Sequence, residues 1–428
     1  MKGRSESDPK PPRGLAGLAR IVGPGIVVAA TGVGAGDLFA AAKAGATYGL
    51  PLLWTALFGA LLKFALAEGV ARWQLATGST VIEGWVRLFG RALNIFFLAY
   101  LLFWTFMVSA ALMAACGLAA HALCPALSVN AWAVIHALAA FVFVWTRGYG
   151  ALEVAMKIAV GVMFVSILGS AALQSVSPFA VLRGILIPSL PAGSTVLILG
   201  AIGGVGGSIT LLSYNYWIGE KGWSGPAWAR GVRFDLAIGY LLTGLFGFGV
   251  ILLGATVLLP RGIRIEGSSG VLQMAVILGE RFGRPGELVF LAGFWGAVAT
   301  SMLGVWQGIP YLFGNYVGLL RGAGAETMER YVSPKAGVYR WYVCFMTFPP
   351  MLLLLFDKPV WLVVGYAALS ALFMPFLAGT LLVMNNGRAR MGRLRNGIAA
   401  NCALGLALGL FVYLAAAEIW KRFSAMWS

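Results

Sequence analysis

Charge is the first thing this sequence has little of. Of its 428 residues only 11% are Asp, Glu, Lys or Arg, while 60% are hydrophobic, and mean hydropathy is +0.86. A water-soluble globular domain is excluded, because too little polar side-chain surface is available to face water. Histidine is nearly absent: His121 and His136 stand alone, and isolated histidines are not a metal site. The four cysteines, Cys116, Cys124, Cys344 and Cys402, form no CxxC pair, which leaves neither a disulfide framework nor a zinc site. No P-loop and no nucleophile–base constellation is present, so an enzyme is not expected, and neither is a cofactor. The opening residues, "MKGRSESDPKPPRGLAGLAR", lack the apolar core and small-residue cleavage site of a signal peptide. Residues 1–16 are read as a cytoplasmic tail.

What is there is a series of long apolar runs. About 11 reach the roughly 20 residues needed to cross a bilayer: 17–48, 50–76, 93–121, 129–147, 151–173, 194–218, 233–259, 286–317, 338–356, 359–384 and 396–418. "GSSGVLQMAVILGERFG", from Gly267, is shorter and reads as a surface helix within a loop. Residues 17–428 thus form one transmembrane domain whose partner is the lipid bilayer. The net charge of +16 suggests nucleic acid at first sight. The basic residues sit at span ends, however, where they set orientation. With the N-terminus inside, inner connections hold about 20 basic residues and outer ones about 8. The odd number of spans then puts the C-terminus outside. No nucleic-acid partner and no obligate protein partner is expected, and the location is the inner or plasma membrane.

Two apolar runs are interrupted. "TGVGAGD", Thr31 to Asp37, places three glycines and a carboxylate inside the first span. "GGVGGS", Gly203 to Ser208, does the same without the carboxylate in the sixth. Glycine weakens a helix interior, and unwound backbone is tolerated at membrane depth only where it lines a cavity. Both breaks fall in the first span of a five-span set. The spacing predicts two inverted halves, 17–175 and 194–384, with an eleventh span added, and a substrate site between the breaks.

Asp37 is the only ionisable side chain in either break. A carboxylate at bilayer depth is costly and marks a pathway or binding site; a cap of the resumed helix is the plainer alternative and is compatible with that role. The candidate substrate-binding set is Asp37, Thr31, Gly34, Gly36, Gly206, Gly207, Ser208 and Thr210, with Asp37 as the metal-contacting residue. These are oxygen donors in a roomy site, which suits a hard, partly hydrated cation. The helix N-termini near Asp37 and Ser208 also favour an anionic group, so a small zwitterion or amine is the alternative. Glu68 is the candidate coupling residue, although Glu68 and Arg72 stand i, i+4 and can pair. Glu153 and Lys157 have the same spacing. Lys63 could snorkel, although its distance from the segment ends argues against it, and Asp235 is read as interfacial. Thr300 and Ser301 are read as interhelical hydrogen-bonding groups.

The stretch "GPGIVVAATGVGAGDLFAAAKAGATYGLPLLW", Gly23 to Trp54, resembles the first helix of the Nramp divalent metal transporters. "EGVARWQLATGSTVIEG" is similar to the end of the family's second helix, with Ala71–Arg72 and Thr77–Gly78 retained. "NNGRARMGRLRN" resembles its basic loop before helix 11. The resemblance implies an all-α LeuT-like fold, a 5+5 inverted repeat with discontinuous helices 1 and 6 plus helix 11, and secondary transport by alternating access. The departures fall on the family's metal site. Its DPGN signature becomes Gly34, Ala35, Gly36 and Asp37, and its MPH becomes Gly207, Ser208 and Ile209. The third span, "NIFFLAYLLFWTFMVSAALMAACG", has no acid, and the family's helix 9 arginine falls on Val343, with Arg340 nearby. The expected cargo is therefore Mg-like rather than Mn²⁺ or Fe²⁺. A transport-inactive sensing domain, as in a plant ethylene-signalling protein, is a third reading. A long soluble extension would favour it, and both tails here are short.

Overall fold

A computed structural model describes residues 11–426, except 13, 205, 206, 264, 266–268, 357 and 358. The chain is helical throughout, with no strand among the described residues. Each of the eleven expected spans contains helix among the described residues, and most of the tail expected at 1–16 lies outside them. Helix α1 (Gly14–Ile21) precedes α2 (Pro24–Gly32) with a 49° bend. The first span is α2 and α3 (Ala35–Tyr48), separated by Val33 and Gly34. Then come α4 (Leu53–Thr77), α5 (Val81–Leu123), α6 (Val129–Thr146), α7 (Tyr149–Ala172) and the short α8 (Pro178–Leu186). The sixth span is α9 (Thr195–Gly204), a 3₁₀ turn (Ile209–Ser213) and α10 (Tyr214–Glu220). The rest are α11 (Ala229–Leu253), α12 (Ser269–Leu320), α13 (Ala325–Val332), α14 (Gly337–Met351), α15 (Pro359–Asn386), α16 (Arg388–Met391) and α17 (Ile398–Met426).

Seven helices among the described residues are long and apolar enough to cross a membrane, or nine if each bent pair is one span. Helix α2 enters the count of nine through its bent pair with α1, and the halves of the sixth span, α9 and α10, are each too short to be counted. The protein is a multi-pass membrane protein. The described part of the stretch expected as a surface helix in a loop, from Ser269, is the first part of α12, set off from the rest by a sharp turn at Gly283, with Met274 and Leu278 buried.

The packing repeats itself. Helix α2 lies against α11, and α9 lies against α4. Counted as spans, first-on-seventh is matched by sixth-on-second, and the second and seventh also face each other. That is the relation expected of two equivalent five-span halves. Backbones approach closely where small residues allow it. A Cβ on Gly25 would stand 2.1 Å from the Asp235 carbonyl oxygen, and one on Gly239 2.1 Å from that of Gly25. No side chain fits either position at this separation.

Helix α2 starts where it does because Pro24 presets the first turn and because its free amides find a carboxylate. Asp235 of α11 accepts from Gly23 N (2.8 Å) and Gly25 N (2.6 Å), and from the Tyr214 hydroxyl at 2.9 Å. Its burial is complete. The interfacial placement expected for Asp235 is thus corrected: negative charge is stabilised there by the helix N-terminus and three donors, not by water. Beside it, Glu153 of α7 pairs with Lys157 at 2.7 Å, as its spacing predicted, and with Lys221 at 2.7 Å.

Candidate functional site: the meeting of two helix breaks

The first break is stitched on both sides. At the end of α2 the Thr31 hydroxyl turns back to the Val27 carbonyl (2.6 Å), while the Thr31 carbonyl accepts from Ser301 of α12 at 2.8 Å. Ser301 thus makes the interhelical bond its residue type suggested, and it consumes one of the carbonyls the break frees. Thr300 bonds mainly within its own helix, to Gly296 at 2.9 Å. At the start of α3, Asp37 Oδ2 accepts from Gly34 N at 2.9 Å. Asp37 is therefore a cap, in the first turn where a carboxylate also complements the helix dipole. Gly36 lies half-buried in the same turn.

The second break turns at Gly207, whose φ of +88° favours glycine. A Cβ there would meet Thr210 Oγ1 at 2.6 Å and the Gly32 Cα at 3.2 Å. The two breaks therefore touch, Gly207 against Gly32. Ser208 reaches Ser370 of α15 at 3.2 Å, and Ser370 also accepts from Trp104 Nε1 at 2.9 Å. The Thr210 hydroxyl is buried with no protein partner. Gly206, also expected here, lies outside the described residues.

The residue whose role the sequence left open is Lys63. It does not snorkel. It is the eleventh residue of the 25-residue α4, too central for its stem to reach either end, as its distance from the segment ends indicated. Only 1% of it is exposed. Its Nζ donates to the Gly207 carbonyl and lies 5.7 Å from the centre of the Phe411 ring of α17. Lys63 and Asp37 interact electrostatically, without a direct ion pair among the described residues. A buried amine and a carboxyl thus flank the break.

Glu68 stands elsewhere in its contacts. It pairs with Arg72 at 3.0 Å and Arg233 at 2.8 Å. Val343 is buried, and the Arg340 guanidinium packs over Trp145 at 4.9 Å. No group of three or more His, Cys, Asp or Glu side chains comes together among the described residues. A cavity of about 10 Å³, room for about one water, is lined by Val33, Asp37, Ala201, Thr243 and Phe246. A far larger one, about 560 Å³, lies at the other end of α3, lined by Lys43, Ala46, Thr47, Leu197 and Leu259.

Similarity to known proteins follows the same outline. The family profile "Natural resistance-associated macrophage protein-like", Nramp, matches residues 25–421. Among curated protein sequences nothing matches. Solved structures of the manganese transporter of Eremococcus coleocola share the fold. Its histidine-to-alanine mutant aligns with a TM-score of 0.79 at 15% identity, over 98% of this chain and 90% of that one. A glutamate-to-glutamine mutant gives 0.79 at 16%, with the same coverage. The complex with an aromatic bis-isothiourea compound gives 0.78 at 16%, over 99% and 92%. With the family profile covering nearly its whole length, this chain, whose breaks carry neither DPGN nor MPH, is a member of the Nramp family of membrane transporters.

Proposed function

We propose that the chain is a secondary transporter working by alternating access, and that it carries a cation, a partly hydrated divalent metal of the Mg²⁺ type, between the two breaks. The carrying observation is the contact of Gly207 with Gly32 beside Asp37 and the unpartnered Thr210 hydroxyl. Asp37, Thr31, Gly34, Gly36, Gly207, Ser208 and Thr210 supply oxygen donors or the space around them. Oxygen ligands and retained waters suit a hard ion. The related manganese transporters support transport of a metal, and the donor set here argues for a different one. The large cavity at one end of α3, with the breaks closed, fits one stage of an alternating cycle.

The domain is one unit, 17–428, with inverted halves, a cytoplasmic N-terminus and an outer C-terminus in the inner or plasma membrane. Lys and Arg placement supports that orientation. A second reading has its own support: opposite charges on Lys63 and Asp37 match a small zwitterion, the organic-solute alternative. Uptake into proteoliposomes decides between them. Mg²⁺ accumulation that amino acids do not inhibit is the expected result. Accumulation of an amino acid without metal would replace the first reading by the second.

A further inference from the structure

We propose that the large cavity beside α3 is a binding site for a small organic acid, with Lys43 holding the carboxylate and an aliphatic wall holding an apolar body. The volume of about 560 Å³ is that of a small-molecule site. Lys43 is the charged side chain described on its wall, and none of the ion pairs among the described residues includes it. Thr47, one turn further along α3, adds a hydroxyl; both residues are exposed, so a ligand reaches them from water. The aliphatic part is Leu197 of α9 with Leu259, Ile263 and Ile265 of the chain that follows α11. That part is firmly built: Gly262 N bonds to Leu259 O at 3.0 Å and Ile263 N to Leu258 O at 3.2 Å, around a left-handed Gly262. A few polar groups set in a mostly apolar lining is the usual make-up of a small-molecule site. With an ammonium as the anchor, the matching group is an anion, and a carboxylate accepts from it through a charge-assisted hydrogen bond. A metal ion meets no acid among the described lining residues, and an amine meets like charge.

This site is distinct from the breaks, goes beyond the transport reading and does not depend on it. At about 3.6 residues per turn, Lys43, Ala46 and Thr47 fall on the side of α3 opposite Asp37. Asp37 and Ala41, one turn apart, line the one-water cavity on the other side. Between the two sides α3 packs tightly on the end of α11 and the turn beyond it. A Cβ on Gly45 would stand 2.1 Å from the Ile251 carbonyl oxygen, and one on Gly254 2.5 Å from that of Ala42. An acid bound at Lys43 touches a half of each interrupted span, α3 and α9, together with the chain after α11.

Calorimetry on the full-length protein in nanodiscs, titrated with isocaproate against empty nanodiscs as the blank, tests the proposal. Isocaproate carries both a carboxylate and a branched apolar body. Isocaproamide lacks the charge and acetate lacks the body, and each is expected to bind more weakly by about tenfold or more. Lys43→Gln removes the charge at an exposed position. It is expected to melt like wild type and to lose about tenfold or more in affinity for isocaproate. Lys43→Arg keeps a carboxylate partner and is expected to stay within about threefold of wild type. Asp37→Ala is expected to bind isocaproate as wild type does. Should a variant not fold, the three ligands compared on wild type still decide. No binding of isocaproate at millimolar concentration overturns the proposal, and so does equal affinity for acid and amide. Affinity lost in Asp37→Ala and kept in Lys43→Gln would place the acid at the breaks and overturn it too. Cation uptake enters none of these measurements, so their failure leaves the cation reading standing.

Discussion

Asp235 Oδ2 accepts the Gly25 amide at 2.6 Å across 210 positions of the sequence. Together with the bonds to Gly23 and Tyr214, it ties the start of α2 to α11 and α10. Asp235→Ala strands three buried donors. Charged hydrogen bonds of this kind are each worth about 1.5–3 kcal/mol. The expected outcome is a loss of several kcal/mol, read as a melting temperature lower by several degrees. Asp235→Asn, which keeps acceptor capacity on one oxygen, is expected to fall between.

Asp37 has two separable roles. Asn caps a helix about as well as Asp, so Asp37→Asn is expected to melt within about 1 kcal/mol of wild type. Loss of the charge is expected to cut cation uptake by roughly tenfold or more, given the weak screening at the break. Uptake by proteoliposomes and melting, measured on the same preparation, separate the two. Unchanged uptake would leave Asp37 as a cap only.

Manganese and iron are expected to bind weakly at the breaks. Borderline ions gain from nitrogen and sulfur donors, and the side chains at the described break residues offer oxygen. Calorimetry with Mn²⁺ should show no micromolar site that depends on Asp37. Tight binding abolished by Asp37→Ala would contradict this.

At the α2–α11 contact, Gly239→Val must push two backbones apart, since even a Cβ would lie 2.1 Å from the Gly25 carbonyl oxygen. Overpacking of this sort typically costs about 1–3 kcal/mol. The variant should melt lower than wild type, while a substitution such as Gly161→Ala, at a position with open space around it, should not.

Spans and breaks were legible because each is written locally: an apolar run of sufficient length, a cluster of glycines. The i, i+4 pairs Glu153–Lys157 and Glu68–Arg72 were legible for the same reason. Lys63 and Asp235 were not. Their partners, Gly207 and Gly25, lie 144 and 210 positions away. Helix α4 is apolar on all sides, so its sequence shows how deep Lys63 sits and not which way it faces. Asp235 lies near a helix start, where an exposed site is the ordinary expectation, and only the tertiary arrival of the α2 amides makes it internal.

The nine residues of α2 are held at the start by Asp235 and at the end by Ser301, both from the second half of the chain. Such a rod does not pivot like a free flap. To swing, it must exchange at least one bond across the halves for water or for another partner, and the release of one end leaves the other as a fulcrum. Its motion therefore has the character of an activated step. Turnover limited by that step would slow steeply on cooling, and would quicken in a variant that loosens either fastening.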